Sequence, residues 1–338
     1  MSTSSKQVEP FSPPRRASRE WDGTASLDKF RVAFSDAAAE EFRSFVRMVP
    51  PQATLEDIQP DVSHLEEFAN DIERFRREVD LGNGMIIIGA IPELTAKERQ
   101  VENWVVSQLL GSPLVQSSEG NRLVHVYDRD RTKRMEDGAR YHQTRQGGSV
   151  HTDNVNAPEP WEYLVFGCIE PAQHGGESIV VNGYSVHSYL KQNAPDALRI
   201  LEQDFFWEYR GIADDVYRAP IVTYGAEGDP YFRYLRTYLE SAHRKVQEPL
   251  TAEQLWAMDV LDAALELSDL QLRIALCAGE ILVTFDSQMF HGRTSFADHP
   301  EARSIVDLDQ SGTLLRRTFE RTWVRSPQLT SQLAGETE

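Results

Sequence analysis

Three residues of this chain have the types and spacing to bind one metal ion. His151 and Asp153 share the run GGSVHTDN, and His291 follows far downstream in FDSQMFHGRTSF. Residues two apart on a strand point to the same side, so the first two can reach a single cation. Two imidazoles and one carboxylate suit Fe(II) with positions left open for O2. An HxD pair alone is a weak motif, because unrelated polar residues at strand ends give the same pattern.

Short strands and a few helices must position these ligands. Two capping boxes, Ser63 with Glu66 and Thr95 with Glu98, each precede a helical apolar pattern, and the helices flank the strand MIIIG at 85–89. Thr251 and Gln254 form a third box. From about residue 121, short apolar runs separated by turn residues predict antiparallel sheets. These runs are RLVHVY, YLVFGCI, SIVVNG, FFWEYR, APIVTY, YFRYL, GEILVTF and TFERTWV.

Composition narrows the function class. The 338 residues, 40% of them hydrophobic, can bury one large core, so we expect one catalytic domain with added helices. The net charge of -18 argues against a nucleic-acid partner, because phosphates would be repelled. No apolar run approaches the roughly 18 residues of a membrane span, so no membrane partner is expected. The two cysteines lie in apolar stretches, as expected in a reducing, cytoplasmic protein.

Several motifs in order resemble one enzyme family. GGSVHTDN, GGES at 175–178, FDSQMFHGRTSF and an arginine-rich last strand are similar to the Fe(II)/2-oxoglutarate-dependent dioxygenases of the TauD/TfdA superfamily, nearest the clavaminate synthase-like amino-acid hydroxylases. The resemblance covers about residues 80–325. It implies a mainly β fold with flanking helices (α+β) and a double-stranded β-helix, or jelly-roll, core. It also implies that His151, Asp153 and His291 are the catalytic iron ligands, with Fe(II), 2-oxoglutarate and O2 as cofactor and co-substrates. Halogenating relatives lack the carboxylate, so Asp153 argues against halogenation.

The resemblance further implies a cationic site for 2-oxoglutarate, whose distal carboxylate a guanidinium fork can bind through two hydrogen bonds. In RRTFERTWV, Arg317 aligns best as this ligand and Arg321 as a second basic residue on the same strand face. Ser178, in GGES, matches a hydroxyl that bonds 2-oxoglutarate in relatives. The segment FADHPEARSIVDLDQSG is longer than usual and must contain an inserted loop, so Arg303 and Arg316 remain alternatives.

Candidate substrate residues lie on both sides of the first metal motif. Asp214 and Asp215, in a predicted lid RGIADDVYRAP, could hold an ammonium or another cationic group, although a solvated acidic turn gives the same pattern. Arg140 and Gln143, in ARYHQTRQGG, are groups for a substrate carboxylate, and Arg236, in FRYLRTYLE, is a further candidate for substrate binding.

The expected enzyme hydroxylates an unactivated C–H bond of a free amino acid, basic ones included, or of an amino-acid-derived small molecule, with succinate and CO2 as co-products. The alternatives are desaturation or another oxidative rearrangement of a non-amino-acid small molecule, a cupin-like zinc hydrolase or isomerase, and a catalytically silent binding protein. Residues 1–30 are expected to form a mobile tail or a strap, and residues 31–325 the catalytic domain. A lid or helical insertion is expected at about 184–278, and residues 326–338 should form a tail. These expectations leave room for a homo-oligomer.

Overall fold

A computed structural model describes residues 19–117, 119–129, 141–155, 161–209, 215–304 and 315–327. The helices are α1 (Asp36–Met48), α2 (Glu66–Arg77), α3 (Ala96–Leu110), α4 (Gly183–Asn193), α5 (Pro195–Leu201), α6 (Arg236–Val246) and α7 (Ala252–Leu265). The strands are β1 (Arg31–Val32), β2 (Met85–Ile88), β3 (Ser112–Pro113), β4 (Leu123–Val126), β5 (Gly148–His151), β6 (Tyr163–Glu170), β7 (His174–Gly175), β8 (Ser178–Asn182), β9 (Asp204–Glu208), β10 (Val216–Pro220), β11 (Val222–Tyr224), β12 (Pro230–Phe232), β13 (Gln271–Ile274), β14 (Ile281–Phe285), β15 (Met289–Arg293), β16 (Phe296–Ala297) and β17 (Thr318–Arg325).

Two sheets pack face to face and form the predicted jelly roll. The larger has the order β1-β2-β14-β6-β17-β3, with β4 also paired to β17, and the smaller has the order β13-β8-β15-β5. Their facing sides share one apolar cluster, in which Ile87 and Leu282 of the larger sheet are buried with Val180 and Met289 of the smaller. Strands that are neighbours within a sheet come from distant parts of the sequence, so early and late segments of the chain meet in the same sheet.

Helices cover both outer faces because the strands are apolar on both sides. In β2, Ile87 faces the other sheet while Ile86 and Ile88 pack under α1, α2 and α3. In β8, Val180 points inward while Val181 packs under α4, α5 and α7. Successive side chains of a strand point to opposite faces of the sheet, and in these strands both faces are buried. The helices α4, α5 and α7, which lie within the insertion expected at about 184–278, form this outer layer over the smaller sheet.

Two of the three predicted capping boxes are confirmed and one is wrong. Thr95 and Thr251 each cap their helix, and each box is complete in both directions. Ser63 instead lies inside a 3-10 turn, Val62–His64, whose cap is the Asp61 side chain, and α2 begins only at Glu66. The sequence pattern failed there because Asp61 bonds the Ser63 backbone N–H first.

Residues 19–30 form a strap over the domain. Trp21 is buried, its indole N–H donates to the carbonyl of Asn83 at 2.9 Å, and it packs on Phe30. Asn182 donates to the carbonyl of Arg19 at 2.9 Å. The packed chain therefore starts well before the boundary expected at residue 30, and residues 1–18 lie outside the described residues. None of the helices that the structure describes has the length and apolar character needed to cross a membrane.

Candidate metal centre and co-substrate cavity

Two neighbouring strands of the smaller sheet bring the two histidines together. His291 in β15 is the direct cross-strand partner of His151, the last residue of β5. Opposed residues of an antiparallel pair have neighbouring side chains, and the two imidazole centroids lie 4.5 Å apart. Asp153 follows in the turn after β5, where the Thr152 backbone is held by Tyr234. The predicted trio is therefore assembled, with Asp153 just beyond the strand.

The Asp153 carboxylate faces both imidazoles through one oxygen. Its Oδ1 lies 3.5 Å from His151 Nε2 and 3.7 Å from His291 Nε2. All three side chains are buried, and one ligand atom from each lies within 4.8 Å of the others. Among the described residues, no other group of three or more His, Cys, Asp and Glu side chains meets in this way. The trio is thus the candidate metal centre of the described chain.

Hydrogen bonding prepares the His151 ring for a metal. Its Nδ1 lies 2.8 Å from the carbonyl oxygen of Ser149, which can only accept, so Nδ1 carries the proton. In that tautomer of the imidazole, Nε2 carries the lone pair, and Nε2 is the ring nitrogen that lies 3.5 Å from Asp153 Oδ1. Metal-binding histidines commonly donate the N–H of their other ring nitrogen to a carbonyl or carboxylate oxygen, which fixes the tautomer and the orientation of the ring.

Electrostatics also favour a bound cation. Burial lowers the pKa of His291 to about 3, with His151 adding to the effect, so this imidazole is neutral and can donate its lone pair. Burial alone would raise the pKa of Asp153, but the Arg321 guanidinium and the histidines outweigh it and hold that pKa well below its usual range. A neutral His291 imidazole beside an ionised Asp153 carboxylate can donate electron pairs to Fe(II), so the donor set of two imidazoles and one carboxylate fits iron.

A cavity next to the trio contains the residues expected to bind the co-substrate. Its lining includes His151, His291, Ser178, Arg317 and Arg321. Ser178 begins β8, opposite Arg293 of β15, and Arg317 immediately precedes β17. The structure thus brings the two histidines of the trio and the predicted 2-oxoglutarate residues to one cavity.

Arg317 is held rigidly at this cavity. It is 3% exposed, and its guanidinium lies 4.0 Å from the ring centroid of Phe319 and 5.0 Å from that of Phe296. Gly176 passes close by with φ at +74°, and a Cβ there would lie 2.9 Å from Arg317 Nε. The second glycine of GGES is therefore required both for its backbone conformation and for the space that Arg317 occupies.

Arg321 lines the cavity and also contacts Asp153. Its Nη1 lies 2.8 Å from Asp153 Oδ2, and its Nε donates to Gln116 Oε1 at 2.9 Å. Arg316 donates to the backbone carbonyls of Ala302 and Asp128 and is not among the cavity-lining residues. Arg303 is exposed. Of the four arginines considered for 2-oxoglutarate, Arg317 and Arg321 line the cavity, and Arg303 and Arg316 do not.

The three predicted substrate residues within the described ranges are not gathered at the trio. Asp215 is exposed and accepts the backbone N–H of Val216, and Arg236 lies in an ion-pair network with Glu240, Asp259 and Asp262 between α6 and α7. Gln143 is half-buried in the 3-10 turn Tyr141–Gln143 and does not line the cavity. Asp214 and Arg140 lie outside the described residues.

Three residues that bond to Asp153 or line the cavity were not predicted as site residues from the sequence. Trp323 donates to Asp153 Oδ2 at 2.8 Å, and Asp286 accepts the Asp153 backbone N–H at 3.1 Å. Arg293, two residues after His291, lines the cavity and donates to the carbonyls of Thr144 and Gln146. The sequence signal for Trp323 is its position two residues after Arg321, which places both side chains on the same face of the strand. Burial and the Asp153 charge raise the pKa of Asp286 well above its usual value.

Comparison with protein families matches residues 45–307 to the taurine catabolism dioxygenase TauD, TfdA family. A curated relative, FR-33289 synthase of Streptomyces rubellomurinus (strain ATCC 31215), is 25% identical over 285 residues, which cover 82% of this chain and 81% of that protein. Uridine-5'-phosphate dioxygenase of a Streptomyces species is 28% identical over 184 residues, 48% of this chain and 65% of that protein.

Solved structures share the fold. Asparagine oxygenase superposes with a TM-score of 0.62 at 16% identity, covering 88% of this chain and 93% of that one. The non-heme iron oxygenase OrfP, in complex with Fe and alpha-ketoglutaric acid, superposes with a TM-score of 0.59 at 16% identity, covering 90% of this chain and 96% of that one.

Proposed function

The chain belongs to the taurine catabolism dioxygenase TauD, TfdA family and is an iron- and 2-oxoglutarate-dependent dioxygenase, and we propose that it hydroxylates an unactivated C–H bond of a free amino acid or an amino-acid-derived small molecule. The observation that carries the proposal is the single cavity shared by His151, His291, Ser178, Arg317 and Arg321. A zinc hydrolase, the alternative left open by the sequence, would not need this cationic wall.

His151, Asp153 and His291 would hold the iron, and Arg317 with Ser178 would hold the distal carboxylate of 2-oxoglutarate. When bound, iron and 2-oxoglutarate supply the oxidation by O2, with succinate and CO2 as co-products. The protein binds and orients the reactants. Phe296 and Phe319 fix the Arg317 guanidinium by cation–π contact, so little side-chain entropy is lost when a carboxylate arrives.

The positive charge of the cavity lining favours a substrate with an anionic group. Arg293, Arg317 and Arg321 line it, and no acidic residue of the described chain does so. With Arg317 assigned to 2-oxoglutarate and Arg321 paired with Asp153, Arg293 is the remaining arginine of the lining for an anionic group of the substrate, such as the α-carboxylate of an amino acid. A role for Asp214 and Asp215 in holding a basic side chain stays part of the proposal only if basic amino acids are turned over.

A second candidate follows from the same wall. The relative named uridine-5'-phosphate dioxygenase is named for a phosphate ester, and arginine forks bind phosphate as they bind carboxylate. We therefore keep phosphorylated small molecules, oxidised by hydroxylation, desaturation or rearrangement, as the alternative substrate class.

Release of succinate with Fe(II), 2-oxoglutarate and O2 tests the proposal across neutral, acidic and basic amino acids and nucleoside monophosphates. We expect substrate-dependent succinate release with an amino acid, loss of it in Asp153→Ala, and its retention in Asp28→Ala, which changes an exposed carboxylate in the strap. Release stimulated only by phosphate esters would replace the amino-acid proposal with the second candidate. Absence of stimulation by either class would contradict both.

We propose a cytoplasmic location, which the two free cysteines, Cys168 and Cys277, support because a reducing compartment keeps thiols free. The partner in the reaction is a small molecule.

A further inference from the structure

The two oxygens of the Asp153 carboxylate lie in different environments. Oδ1 faces the Nε2 atoms of His151 and His291 at 3.5 and 3.7 Å. Oδ2 lies on the other side, where it accepts the indole N–H of Trp323 at 2.8 Å and lies 2.8 Å from Arg321 Nη1. Two short donors therefore engage the oxygen that faces away from the histidines.

We infer that Trp323 is a positioning residue of the metal centre. With Arg321 it holds Oδ2, so that Asp153 offers only Oδ1 to the metal. The inference rests on the proposed function, since it presupposes that the trio binds iron. Groups that bond the far side of a ligand typically fix its orientation and tune its affinity for the metal.

The indole is itself fixed by packing. Trp323 is 4% exposed, and its ring stacks on Trp161 with centroids 4.1 Å apart and an angle of 20° between the planes. The Arg321 guanidinium lies 4.8 Å from the centroid of the Trp323 ring. An indole N–H is a donor only and carries no charge. Trp323 can therefore direct the carboxylate without adding to the positive charge that Arg321 supplies.

The stacked partner gives a matched control. Trp161 is also buried, and its indole N–H makes no hydrogen bond to any residue that the structure describes. Trp323→Phe and Trp161→Phe thus each replace one indole of the same stack by a phenyl ring. Only the first removes a hydrogen bond to a metal ligand.

The test is an anaerobic titration of Fe(II) into the full-length wild-type protein and both variants, with thermal unfolding of each metal-free protein measured in parallel. We expect Trp323→Phe to raise the Kd for Fe(II) about 10- to 100-fold, the usual effect of removing an outer hydrogen bond from a metal ligand. Trp161→Phe should leave that Kd unchanged.

If Trp323→Phe proves unfolded, replacing Trp323 by β-(3-benzothienyl)alanine keeps the bicyclic ring and substitutes sulfur for the N–H, and the same rise in Kd is expected. An unchanged Kd in the folded Trp323 variants, or an equal rise in Trp161→Phe, would overturn the inference. A wild-type protein that does not bind Fe(II) would instead overturn the proposed function, so the two failures are distinguishable.

Discussion

Replacing Arg317 by glutamine should selectively weaken binding of 2-oxoglutarate. The side chain is 3% exposed at the cavity beside the trio. Removing one member of a buried charge pair costs about 3–5 kcal/mol. At tenfold per 1.4 kcal/mol, the Kd for 2-oxoglutarate should rise roughly 100- to 4,000-fold. Arg317→Lys keeps the charge but loses the planar fork, so its Kd should lie between those of the wild type and Arg317→Gln.

Anaerobic titration of 2-oxoglutarate into the Fe(II)-loaded protein, followed by charge-transfer absorption, measures this Kd. Arg316→Gln is the matched control, because that neighbouring guanidinium contacts the backbone carbonyls of Ala302 and Asp128 instead of the cavity. Arg303→Gln tests the other arginine that the sequence left open. A greater loss in Arg316→Gln or Arg303→Gln than in Arg317→Gln would refute the assignment.

Two further predictions concern Gly176, which packs beside Arg317, and Glu320, which is buried in the core. Gly176→Ala and Gly228→Ala should each cost about 1 kcal/mol of stability, since both glycines have positive φ. Only Gly176→Ala, whose Cβ would meet Arg317, should also raise the Kd for 2-oxoglutarate. The expected rise is roughly tenfold, which corresponds to the loss of about 1.5 kcal/mol of binding free energy from one hydrogen bond. Equal Kd values in both variants would count against the packing argument. Burial raises the pKa of Glu320 to about 8, although amide hydrogen bonds oppose the shift. The folded protein therefore keeps a proton that the unfolded chain loses above about pH 4.5, and the free energy of unfolding should fall as pH rises from about 4.5 to 8. Glu320→Gln should remove this slope and be about 2–4 kcal/mol more stable at pH 8 by denaturant unfolding, whereas a less stable variant would show that the ionised carboxylate is the stabilising form.

The trio could be predicted because several motifs stand in the order of a known family, whereas the HxD pair alone is a weak motif. His151 and Asp153 stand two residues apart at a strand end, but the pairing of His291 with His151 joins strands that are distant in sequence, and only the ordered family motifs pointed to it. Trp323 was missed although it lies an even number of residues from Arg321. The strand period fixes the face on which a side chain lies but not which atom it will reach.

The substrate residues could not be predicted in the same way. Arg236 and Asp215 were chosen for their charge, and the folded chain pairs Arg236 with three carboxylates and leaves Asp215 exposed. These contacts depend on how α6 packs on α7 and on where β10 begins, which are tertiary relations that no local pattern encodes. The Ser63 box failed for a local reason, because two competing caps lay within a few residues.

Binding of Fe(II) by the trio, with 2-oxoglutarate in the adjoining cavity, is the central claim, and anaerobic absorption spectroscopy tests it most directly. The wild type should develop a charge-transfer band when both are added. His64→Ala, which changes an exposed histidine in a 3-10 turn, should develop the same band. His291→Ala should not develop it at the same concentrations. A band that persists in His291→Ala, or its absence from the wild type, would contradict the account.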